Sequence, residues 1–138
     1  MTILLKAILA LVGLGIVFLG INIGFGGIQT LGLQGDGPFI EVTDATLFST
    51  RDSHVRFIGG VWLGVGILFV AAAFRLHHLR NAILAAIGMI FVGGLARLSA
   101  SELGPLMGAD LLPSLLAELL LFPLLALWIV KATARPVA

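Results

Sequence analysis

Residues 54–74 read HVRFIGGVWLGVGILFVAAAF, residues 75–80 read RLHHLR and residues 81–99 read NAILAAIGMIFVGGLARLS. A helix that spans a bilayer needs about 20 mostly apolar residues, and each of the two outer runs has that length. The insert between them carries Arg75, His77, His78 and Arg80, groups that are costly to hold in hydrocarbon. The chain is therefore expected to cross, turn at a tight loop over 75–80, and cross back.

Two further runs qualify on either side. The first covers about Ile3 to Gly24, interrupted by Lys6 near its start and Asn22 near its end, and the last covers about Leu112 to Val130. The first run is too long for the apolar part of a signal peptide and no Ala-x-Ala-type site follows it, so it reads as a span. The expected fold is all-α: one domain over residues 1–138, an integral membrane antiparallel four-helix bundle with spans at about 3–24, 54–74, 81–99 and 112–130. A long loop over residues 25–53 joins spans one and two. It is rich in glycine (Gly26, Gly27, Gly32, Gly35, Gly37) and holds Pro38, which argues against a continuing helix. Phe39 to Thr43 reads as a short strand, and Asp44 or Asp52 as a helix cap.

Composition supports the membrane class. Of 138 residues 59% are hydrophobic and 11% charged, whereas a soluble domain carries about 25% charged residues. Net charge is +1, too small a field to suggest nucleic acid as a partner. There is no cysteine, which removes disulfides, thiolate catalysis and cysteine-ligated metals.

Basic residues orient the chain. With four crossings, Lys6, Arg75, Arg80, Lys131 and Arg135 share one side, while Arg51 is the one basic residue in the opposite loops, beside Asp36, Glu41, Asp44, Asp52, Glu102 and Asp110. Both termini are expected in the cytoplasm, and the bacterial inner membrane is the expected location.

Inside the spans two kinds of residue stand out. Small residues let helices approach in lipid, and Gly20 with Gly24, Gly60 with Gly64, and Gly88, Gly93 and Gly94 are the expected packing positions. The polar residues are Asn22, Arg56, Arg97 and Glu118. Helix directions put all four in the outer half, one per span. Such groups should face the bundle interior and pair. Two arginines against one glutamate leave a positive charge that Asp52, Glu102 or an anionic ligand must balance. The plainer reading of the layer is a structural ion pair with arginines that reach outward to the interface.

Other residues point to less. Adjacent His77 and His78 diverge on a helix rather than share a metal, and with Arg75 and Arg80 they are placed to meet lipid head groups. No phosphate loop, nucleophile elbow or metalloprotease helix is present, so no cofactor, metal or catalytic residue is assigned.

The motifs Arg56-Phe57-Ile58-Gly59-Gly60, Gly93-Gly94-Leu95-Ala96-Arg97-Leu98-Ser99 and Glu118-Leu119-Leu120-Leu121-Phe122-Pro123 resemble the bacterial family called domain of unknown function 4345. That resemblance implies a small four-span membrane protein. The architecture is also similar to DoxX-like four-helix membrane proteins, some of which are subunits of quinone-linked oxidoreductases; this likeness is one of fold. Three readings follow. The first is a non-enzymatic bundle binding an anionic small molecule, a lipid-like ligand or a partner through the polar layer. The second is an accessory subunit of a larger membrane complex, and the third an enzyme acting on a quinone or lipid through Glu118.

Overall fold

The computed structural model describes residues 3–30, 41–100, 102–109 and 111–134. Among these the chain is all-helical. Three helices are long and apolar enough to cross a membrane: α1 (Ile3–Gly26, 24 residues), α2 (Ala45–Arg97, 53 residues) and α3 (Leu112–Thr133, 22 residues). Short 3-10 turns at Ile28–Thr30 and Gly104–Met107 complete the connections. Glu41 to Thr43 form no strand; the rest of that expected strand, Phe39 and Ile40, lies outside the described residues, as do Asp36, Asp110 and Arg135.

α2 begins at Ala45 rather than near His54. Asp44 explains the earlier start: its side chain accepts the Leu47 N–H at 2.9 Å, satisfying a donor that the first helical turn leaves unpaired. The stretch 75–80 also differs from the expected loop. Only Arg75 leaves helical geometry, with φ −130° and ψ 43°. The residues after it stay helical because Leu76 is buried at 2% exposure and is followed at helical spacing by Ile83, Ala86, Ile87 and Ile90, all in the core.

That one interruption folds the element back on itself. On a straight helix Ile58 and Gly93 would stand about 50 Å apart, yet they line one cleft together with Trp62, Val65, Ala86 and Ile90. α2 is thus two antiparallel arms, 45–74 and 76–97.

Glycine sets which segments lie closest. α1 runs antiparallel to the first arm, with Gly13 against Val70, Gly20 against Leu63 and Gly24 against Gly59 and Gly60. A methyl group at Gly13 would stand 2.7 Å from the Val70 backbone nitrogen, closer than atoms can pack. The second arm runs antiparallel to α3. Gly94 meets Glu118 at one end, and Arg80 donates to the Thr133 hydroxyl at 2.9 Å at the other. A Cβ at Gly60, Gly64, Gly88 or Gly93, expected as packing positions, would point into open space instead, and Gly59 and Gly66 make the close approaches on the first arm. Counting glycines four apart finds the contact positions of α1, Gly20 and Gly24, but not those of the first arm, where Gly59 and Gly66 take the place of Gly60 and Gly64.

The interior is packed unevenly along the bundle. The largest fully buried side chains are Phe69, Leu5, Leu9, Leu76, Ile83 and Ile129, all in the half that holds the Arg75 turn. Phe69 meets Phe122 edge-on, with ring centroids 5.8 Å apart at 82°, an arrangement aromatic quadrupoles favour. Beyond these rings the α1–first-arm pair and the second-arm–α3 pair part from one another.

Candidate functional site

The gap between those two pairs holds Glu118. The turn Ala117–Leu121 of α3 is a π-helical turn, and the Phe122 N–H reaches back to the Ala117 carbonyl. Pro123 supplies the local reason: proline has no N–H to give, and its ring crowds the carbonyl four residues earlier. Widening the preceding turn relieves the contact. Insertions of this kind often occur at functional sites. Here the turn carries Glu118 into the bundle at 6% exposure, the one charged side chain buried among the described residues.

Arg97, the last residue of α2, meets it. Its Nε donates to Oε2 at 2.8 Å and its Nη2 to Oε1 at 2.9 Å, a two-pronged fork that matches carboxylate geometry. A cation also suits the last turn of a helix, where carbonyl oxygens are unpaired. Gly94, one turn earlier, has a missing Cβ only 2.9 Å from the Glu118 Cβ, so the absence of a side chain there lets the pair close. The Arg97 side chain keeps 38% exposure against 8% for Glu118. Its Nη1 has no hydrogen-bond partner among the described residues.

Two clefts flank this pair. The larger, about 640 Å³, lies between α1 and α3, with Val12, Gly15, Ile16 and Leu19 on one wall and Ser114, Ala117 and Phe122 on the other. The second, about 480 Å³, lies between the two arms of α2. Ile58, Trp62, Arg97 and Glu118 line both. A narrower extension of about 140 Å³ shares Val12 and Phe122 with the larger cleft and runs down to Ile8 and Trp128. The walls are aliphatic and aromatic apart from Arg97, Glu118 and Ser114.

Arg56 lies elsewhere. Its Nε donates to Asp52 Oδ2 at 2.6 Å, and its Nη atoms donate to the carbonyls of Phe25 and Gly26. Asp52 in turn accepts the Ile28 N–H through Oδ1 at 2.7 Å. The chain reaches this geometry through Gly27, whose φ of 79° suits glycine. Arg56 and Asp52 thus clamp the end of α1, whose last carbonyls would otherwise lack donors. Asp52 precedes the apolar run. Its hydrogen bond from Arg56, then that from the Ile28 N–H, hold its carboxyl below the usual carboxylate range.

The six sequence-derived site residues therefore separate. Arg97 and Glu118 are brought together, as are Arg56 and Asp52, but the two pairs serve different contacts. Asn22 offers its backbone carbonyl to the Thr30 hydroxyl at 2.8 Å, and its side chain has no hydrogen bond among the described residues. Glu102 is exposed and is in neither ion pair. Charges cancel within each pair, so this cluster is neutral without an added anion. Among the described residues no three His, Asp or Glu side chains converge as a metal site requires. Sequence reasoning did not find Ser114, Phe122 and Trp62 as cleft walls. Pro123 is a signal that could have pointed to the widened turn.

The architecture defines a helical protein whose three long apolar helices are those of a membrane protein, with one buried ion pair between clefts. The chain belongs to the family described as "Domain of unknown function (DUF4345)", whose model matches residues 4–129. No curated protein and no solved structure matches it.

Proposed function

We propose that this protein crosses the bacterial inner membrane four times and binds a lipid-like amphiphile, with the polar head of the ligand on Arg97 and its apolar part in the flanking clefts. The two arms of α2 are separate crossings in this reading, and the Arg75 turn and both termini face the cytoplasm. The observation that carries the ligand is the position of Arg97. Glu118 takes its Nε and Nη2, Nη1 has no partner among the described residues, and the same guanidinium lines both apolar clefts. Because Glu118 already cancels its charge, a neutral oxygen acceptor such as a carbonyl, hydroxyl or ester suits Nη1 better than a free anion. Ligand sites are commonly apolar with a few placed polar groups that fix orientation.

Open glycines make the test direct. Gly15 lines the larger cleft and Gly93 the smaller, and a Cβ at either would meet nothing within 4 Å. Gly15→Leu and Gly93→Leu should each fill a cleft without disturbing the helices. Native mass spectrometry of the wild type from membranes is expected to show a retained amphiphile, lost in at least one of these variants while thermal stability in detergent holds. Retention unchanged in both variants would remove the clefts as the site and leave Arg97–Glu118 as a structural lock. That outcome would put the accessory-subunit reading ahead.

A further inference from the structure

A separate feature lies at the other end of the bundle, around the Arg75 turn. A cleft of about 730 Å³ is lined there by Lys6 from α1 and by Phe74, Arg75, Leu76, His77, His78 and Leu79 from α2. The charges at this end are one-sided. Glu41 and Asp44 precede α2, Asp52 lies near its start and is bound to Arg56, Glu102 follows its end, and Glu118 is bound to Arg97. Among the described residues, no carboxylate reaches the Arg75 end. Arg80 is occupied by the Thr133 hydroxyl and the Asn81 side-chain oxygen, whereas Lys6 and Arg75 have no ion-pair or hydrogen-bond partner among the described residues. The cleft is also amphipathic. Phe74, 76% exposed, and the two leucines supply apolar wall beside the two cations and the imidazoles.

We infer that this cleft holds the phosphodiester headgroup of an anionic phospholipid. Two cations with no counter-ion among the described residues call for an anion from outside, and a guanidinium suits phosphate oxygens. The histidines add ring N–H donors for the remaining oxygens. A lipid is favoured over free phosphate because the cations stand where apolar helices end and an exposed phenylalanine forms part of the wall. Basic residues at this level of a membrane attract anionic lipid.

The test is native mass spectrometry of the full chain titrated with phosphatidylglycerol and, in parallel, phosphatidylcholine. Phosphatidylglycerol should bind preferentially, and either Lys6→Gln or Arg75→Gln should weaken it about five-fold, the effect expected for one basic residue near a membrane surface. Lys131→Gln is the control, because Lys131 is exposed, belongs to the same end by chain direction and does not line the cleft. If Arg75→Gln fails to fold, Lys6→Gln, which lies on α1 rather than in the turn itself, carries the same reading. Equal weakening by Lys131→Gln would overturn the site in favour of a diffuse basic surface. Equal binding of the two lipids would overturn it as well. Full displacement of phosphatidylglycerol by millimolar inorganic phosphate would show a site for a free oxyanion and overturn the lipid assignment.

Discussion

Glu118 is held by two neighbours that act on different parts of it. Pro123 shapes its backbone through the widened turn, and Arg97 neutralises its carboxylate at 2.8 and 2.9 Å. Glu118→Gln keeps the shape of the side chain but removes the charge that Arg97 faces, leaving an uncompensated guanidinium. Thermal unfolding in detergent should show a loss of about 2 kcal/mol, below the ~3–5 of a fully buried pair because Arg97 is 38% exposed. Arg97→Lys keeps the charge but not the planar fork, so its loss should fall between wild type and Glu118→Gln. An unchanged unfolding temperature in Glu118→Gln would mean the pair adds nothing to the fold. Opposite charges at one depth of neighbouring helices made Arg97–Glu118 legible in the sequence, since neither is tolerated alone in hydrocarbon. The role of Arg56 was not legible. Asp52 was among the charge balances the sequence offered, but the other partners of Arg56 are the carbonyls of Phe25 and Gly26, and only the backbone path through Gly27 brings these to it.

At the scale of elements, the glycines divide into contacts and gaps, and the division is testable. Gly20 lies against the Leu63 backbone, which cannot yield as a side chain can. Gly20→Leu should therefore force α1 away from α2 and cost about 2 kcal/mol or more in detergent unfolding. Gly60→Leu should cost nothing measurable, because a Cβ there meets nothing within 4 Å. Equal effects would mean that the two helices do not pack in this phase. Apolar run length and glycine content made the helices and their close approach legible. The phase was not, because it depends on a rotation of each helix that residue spacing alone leaves free. The clamp at the end of α1 gives a pH prediction. The Asp52 carboxyl is held below its usual range by Arg56 and the Ile28 N–H. Its contribution is therefore present above the unfolded-state pKa of about 3.9 and lost as pH falls through the lower folded value. Asp52→Asn removes that dependence. Unfolding measured from pH 6 downward should show a gap between wild type and Asp52→Asn that closes below about pH 4. A gap independent of pH would show that the charge on Asp52 is not what holds the clamp.

For the whole molecule the deciding quantity is how often α2 crosses the membrane. Its 53 residues would extend about 80 Å if straight, more than twice the ~30 Å of hydrocarbon. A single crossing would thus leave long apolar stretches in water or bury Arg75, His77, His78 and Arg80 in lipid. Two crossings place those four groups at a surface. They also agree with the shared clefts that bring Ile58 and Gly93 together. Composition and the RLHHLR insert made the fold-back of α2 legible, although the turn needs only one non-helical residue. The two counts predict different sidedness, and the absence of cysteine makes single-cysteine labelling possible on the natural sequence. Ser49, His77 and Ala134 are all exposed and mark the start of α2, its turn and the end of α3. With four crossings, His77→Cys and Ala134→Cys should react with a membrane-impermeant maleimide from the cytoplasmic face, and Ser49→Cys from the opposite one. With three crossings, Ser49→Cys and Ala134→Cys would react from the same face, and His77→Cys would be protected within the bilayer. Labelling of Ser49→Cys and Ala134→Cys from one side would overturn the four-span reading, and the site geometry proposed on it would have to be placed anew in the membrane.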